Sequence, residues 1–211
     1  MNNIKKILYI GSHLDDIEIG CGGTLLKNRN KKNYFLILTN SEYKNNGKLI
    51  RSKDAAEKSF QKVRSKVKIT KYKILDNKTN NLQVNDKLVV SIRNFIDFIN
   101  PDLIFTHWTG DAHQDHNVAG VATLSAARHI KNILMYRSNN YETNTSFKSN
   151  FYVDISKEFK KKIELIKLYG DEMKRTNFKW IEILKHQNTI DGFKNDTKYC
   201  EAFEIVRCLD K

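Results

Sequence analysis

One proline, Pro101, stands among 211 residues, and the three cysteines Cys21, Cys200 and Cys208 are far apart, odd in number and in no C-x-x-C pair. That pattern excludes a disulfide framework and a cysteine-built zinc site, and leaves buried thiols as the expectation. No apolar run approaches the roughly 18 to 20 residues that cross a bilayer, so no transmembrane segment is expected. The opening MNNIKKILYIGSH sets basic residues before an apolar stretch too short for a signal peptide, and a cytoplasmic location follows as an expectation. Acidic residues are scarce, 24 against 37 lysines and arginines, for a formal net charge of +13. The lysines are spread along the chain among many asparagines, with no basic block longer than KKK at 160–162. A clustered basic face interleaved with aromatics is missing. A solvated lysine surface is therefore expected, with nucleic acid not a partner.

What is present is a regular alternation. Short runs rich in β-branched and aromatic residues predict strands at 7–12, 34–39, 71–75, 102–108 and 132–137. Helical patterns predict helices at 22–30, 51–66, 86–100 and 117–130, the third closed by Pro101. Strands separated by helices make βαβ units, so the expected fold is α/β, a Rossmann-like three-layer, mostly parallel sheet. FYVDIS (151–156), a basic helix at 157–169 and AFEIVR (202–207) read as a C-terminal β/α appendage of one domain spanning 1–211. Residues 139–150 and 42–49 read as variable loops, the first of them mobile beside a site.

SHLDDIEIGCGG (12–23) follows the first strand and places a histidine and two adjacent carboxylates where a parallel sheet binds ligands. The fourth strand, expected beside the first, runs into THWTGDAHQDH (106–116). Both polar clusters therefore converge on one crevice holding His13, Asp15, Asp16, His107, Asp111, His113, Asp115 and His116. Buried like charges need a compensating cation. Two imidazoles and one carboxylate hold a divalent metal while leaving a position open, which selects His13, Asp16 and His116 and leaves Asp15 beside the water. His107, inside the strand end, is expected to be structural, and His129 and His186 are left outside the site. GCGG (20–23) starts too far after the strand to cradle a dinucleotide phosphate. Its glycines suit close packing of a helix on the sheet, or of a substrate on its backbone.

On these residues the sequence resembles the LmbE/PIG-L family of metal-dependent N-deacetylases. SHLDDIEIGCGGTL looks like the family's first motif, HPDDE followed by GCGGT, and DAHQDH looks like its second, D-x-H-P-D-H. RSKDAAEKSF from Arg51 and YCEAFEIVR from Tyr199 resemble an arginine-led helix and a terminal YAEAFE segment, so the likeness spans the chain. Three positions depart from the pattern: Leu14 and Gln114 stand for prolines and Ile17 for the glutamate, with Glu18 next to it.

The resemblance implies a zinc-dependent N-deacetylase acting on a linear carbon–nitrogen amide bond, with Zn2+, or Fe2+ or another divalent ion, on His13, Asp16 and His116. It implies Asp15 as general base, a protonated His113 facing the reacting carbonyl, Asp115 orienting His113, and Arg51 holding the substrate or the developing oxyanion. The implied partner is a small N-acetylated sugar, an anionic or nucleotide-linked one being compatible with the positive charge; a homo-oligomer accords with the family. The alternatives are a hydrolase of another small amide on the same metal site, an Fe(II) oxygenase, which the lack of a jelly-roll pattern opposes, a basic nucleic-acid-binding protein, and a relative without activity.

Overall fold

The computed structural model describes residues 3–139, 141 and 143–209. Asn140 and Glu142, part of the loop expected to be mobile, lie outside the described residues.

Five strands run parallel: β1 (Lys6–Gly11), β2 (Lys32–Thr39), β5 (Lys71–Asn77), β6 (Leu103–His107) and β7 (Ile133–Tyr136). Between β2 and β5 the chain forms a separate two-stranded hairpin, β3 (Tyr43–Asn45) and β4 (Lys48–Arg51). At the far edge β9 (Cys200–Arg207) pairs antiparallel with β7, and β8 (Phe151–Asp154) antiparallel with β9, giving the order β5-β2-β1-β6-β7-β9-β8.

Both faces of β1 are buried, which is why its sequence reads as a continuous apolar run rather than an alternation. Ile7 and Tyr9 join the cluster that packs α1 (Asp16–Lys27), α2 (Lys53–Arg64) and α5 (Phe159–Lys167). Leu8 and Ile10 face the opposite cluster, formed with α3 (Asp86–Ile99) and α4 (Gln114–Ala126). Burying a side chain of this size contributes about 1.5–3 kcal/mol. Helices on both faces make the expected three layers, and β6 beside β1 is the expected neighbour. Asn100 ends α3 in a left-handed conformation, with Pro101 next in the chain.

Four local readings change. The first helix starts at Asp16 rather than near residue 22, so the glycines lie inside it. A Cβ on Gly20 would sit 2.2 Å from the Tyr136 ring, and one on Gly23 2.6 Å from Ile155, which settles their use as close packing. Arg51 ends a strand instead of heading a helix, because the Ser52 side chain caps α2 by accepting the Ala55 N–H. The appendage holds two more helices, α6 (Gly170–Arg175) and α7 (Lys179–Phe193), where the sequence showed no helical signal. Cys21 and Cys200 are buried as expected, but Cys208, beyond the last strand, is exposed.

Candidate active site

Four residues carry the chain from β1 into α1. Thr39 at the end of β2 grips the first of them, donating from its N–H and Oγ1 to the Ser12 carbonyl at 3.0 and 2.7 Å. Ser12 Oγ in turn donates to the Asp115 carbonyl. Asp15 has φ 136°, a conformation costing on the order of 1–3 kcal/mol in an L residue and held only by such surroundings. Asp16 folds back on its own loop, accepting the His13 N–H at 2.7 Å.

The second loop joins β6 to α4. Asp111 accepts the His113 N–H at 2.8 Å and the Asn139 amide at 2.6 Å, and its other oxygen lies 3.2 Å from His116 Nδ1. His116 Nε2 then faces Asp16 Oδ1 at 3.2 Å. His107 and His113 stack on the His116 ring, with centroids at 4.2 and 4.3 Å. His107 is fully buried. Its Nε2 lies 3.1 Å from both the Ser12 N–H nitrogen and Asp16 Oδ2.

Asp115 acts differently from the expectation. Its carboxylate meets His13 Nε2 at 2.9 Å and accepts the N–H groups of Asn80 and Leu82. Only its backbone N–H reaches His113, donating to Nδ1 at 3.2 Å. A neutral His113 accepting there carries its proton on Nε2. Burial, His116 and His13 together pull His113 down to about 4, so it rests neutral rather than protonated.

The donor set fits a divalent metal. His13 has one nitrogen on Asp115 and the other, Nδ1, 3.3 Å from Asp16 Oδ2. His116 has one nitrogen on Asp111 and the other on Asp16. In each ring an outer carboxylate holds one nitrogen and leaves the second turned inward, the arrangement that orients metal-ligating histidines. His13 and His116 share one close grouping of donors with His113, and Asp16 and His116 share another with His107. Burial raises Asp16, but His116, His107 and His13 outweigh it and hold the carboxyl well below its usual range. Burial lowers His116, yet Asp16 and Asp111 lift it to about 10. Asp16 is thus held ionised between His13 Nδ1 on one oxygen and His116 Nε2 on the other.

Asp15 lies beside this cluster. Burial raises it to about 7 against the opposing pull of Arg51, whose Nη1 is 3.6 Å from Asp15 Oδ2. Arg51 is buried, donates through Nε to the Ser41 carbonyl at 3.1 Å, and lies 3.5 Å from Glu172 Oε1. Glu172 also pairs with Arg175 at 2.6 Å. These groups open on a cavity of about 250 Å³ that brings together His13, Asp15, Asp16, Arg51, His113 and His116. Asp115, predicted with them, stands behind His13 and outside the lining. The wall also takes Thr79 and Asn80, and from the appendage Glu172, Arg175 and Trp180. No motif marks these last residues; only the packing of α6 and α7 over the crevice brings them in.

The family model described as PIG-L, GlcNAc-PI de-N-acetylase, matches residues 8–127. A protein named "uncharacterized deacetylase YaiS" from Escherichia coli K12 is 28% identical over 165 residues, covering 75% of this chain and 86% of that protein. Among solved structures, the N,N'-diacetylchitobiose deacetylase of Pyrococcus horikoshii has a TM-score of 0.84 at 19% identity, over 97% of this chain and 85% of its own. GalB, the 4-carboxy-2-hydroxymuconate hydratase of Pseudomonas putida KT2440, has 0.74 at 13%, over 99% and 98%. At such identities these two show the fold, which carries a hydratase as well as a deacetylase. The chemistry has to be argued from the site.

Proposed function

The chain belongs to the PIG-L family of de-N-acetylases, and from that premise we propose that it removes the N-acetyl group of an amino sugar in the cytoplasm, using zinc held by His13, Asp16 and His116. The observation that carries this reading is the inward turn of His13 Nδ1 and His116 Nε2 onto Asp16, with Asp15 alongside. A divalent cation bound there supplies a Lewis acid for the amide carbonyl and acidifies water.

The chain's own residues do the rest. Asp15, held near neutrality by burial against Arg51, takes the proton of the attacking water. Oxygen adds to the acetyl carbon, and the neutral His113 offers its Nε2–H to the developing oxyanion. Asp15 then returns the proton to the nitrogen as the C–N bond breaks, leaving acetate and a free amine. Arg51 holds Asp15 in place and opposes the rise that burial imposes on it. Asp115 orients His13 through its carboxylate and fixes the His113 tautomer through its N–H.

A cavity of about 250 Å³ is smaller than the roughly 300–1,000 Å³ that surrounds a drug-sized ligand. It suits one sugar ring, with the remainder of the conjugate outside. The net charge of +13 and Arg175 at the cavity favour an anionic or nucleotide-linked conjugate. The test is metal content of tag-free protein together with acetate release from a panel of N-acetylated sugars. Zinc near one per chain with acetate from any panel member is the expected result; a folded, metal-free and inactive chain would overturn it.

A further inference from the structure

The first two residues of α4 grip a single residue of a neighbouring loop. Asp115 accepts the Asn80 N–H at 2.6 Å, and the Gln114 side-chain amide donates to the Asn80 carbonyl. Asn80 sits at φ 60°, a left-handed conformation that asparagine tolerates better than most residues. Both its backbone polar groups are thereby committed. Its carboxamide is not: it makes no hydrogen bond among the described residues, is exposed, and lines the cavity beside Thr79.

Helix formation does not ask for glutamine at 114. Gln114 is the first residue of α4, behind the His113 cap, where a backbone N–H has no helical partner and proline is well tolerated. What glutamine adds is the reach of its amide to Asn80.

We propose that Gln114 is a positioning residue for substrate specificity: it fixes the Thr79–Asn80 wall so that the Asn80 carboxamide meets a hydroxyl of the sugar ring in the cavity. The sugar contact rests on the deacetylase reading above; the grip on Asn80 does not. Gln114 acts through Asn80 and touches neither the reacting atoms nor the metal donors, so its loss falls on binding. One exposed hydrogen bond of about 1 kcal/mol corresponds to roughly a fivefold change.

Amide hydrogen exchange on the full chain tests the grip without any need for activity. In Gln114→Pro and Gln114→Ala, a peptide spanning residues 77–84 should exchange about fivefold faster than in the parent chain, and Gln114→Lys, which keeps an N–H donor, should restore protection. Unchanged exchange in both of the first two variants overturns the proposal. With N-acetylglucosamine as probe, the same two variants should raise KM about fivefold at nearly constant kcat, and the effect should vanish in an Asn80→Ala background. Faster exchange with unaltered KM, or a fall confined to kcat, overturns the specificity role. Failure of the parent chain to release acetate from any N-acetylated sugar counts against the deacetylase reading and the sugar contact built on it, while exchange still decides whether Gln114 holds Asn80.

Discussion

His116 lies between two carboxylates, its Nδ1 3.2 Å from Asp111 Oδ2 and its Nε2 3.2 Å from Asp16 Oδ1. The outer contact sets the direction of the inner one, so in the proposed zinc site Asp111 acts on the metal through His116. Asp111→Asn should weaken zinc binding about 10- to 100-fold. Chelator competition followed by metal analysis measures this, and an affinity equal to the parent's would contradict the arrangement.

His116→Ala removes an inner donor outright. The variant should emerge from purification without stoichiometric metal while keeping the far-ultraviolet circular dichroism of the fold, because the layers are built on β1 and its neighbours. Metal retained at parental occupancy would assign the ion to other residues.

Asp15→Asn should separate chemistry from metal binding. The proposed proton acceptor is lost while His13, Asp16 and His116 stay, so kcat should drop on the order of 10²- to 10⁴-fold at unchanged metal content. Turnover close to the parent's would remove Asp15 from its role.

Away from the cavity, Lys162 and Glu201 form a fully buried pair at 2.7 Å, and Glu201 also accepts the N–H groups of Gly23 and Thr24 in α1. Lys162→Met would leave the carboxylate buried without its cation, at a cost of about 3–5 kcal/mol. Urea denaturation reads this as a lower midpoint, and a midpoint within error of the parent's would show that Glu201 needs no partner there.

Gly20→Ala should also destabilise. Its Cβ would fall 2.2 Å from the Tyr136 ring, and Tyr136 cannot simply swing away, since its hydroxyl donates to the Ile10 carbonyl at 2.8 Å. Overpacking of this kind costs about 1–3 kcal/mol, to be read in the same denaturation experiment.

The sequence by itself determined the parallel sheet and the two loops that meet at its reversal. Continuous apolar runs such as ILYI bury both faces of a strand, and polar residues directly after two such strands have only the carboxyl end of the sheet to occupy. That His13, Asp16 and His116 meet was legible for that reason. Tertiary structure alone decided the partners of each group. Asp115 turns to His13 because loop 79–82 offers it two N–H groups on that side, and His113 is neutral because the fold buries it against the His116 ring. The appendage was hidden for a different reason: α7 carries apolar residues around much of its circumference, so no periodic stripe announces it. Which of its side chains reach the cavity depends on how it packs over the sheet, and a pattern along the chain does not encode a distance across it.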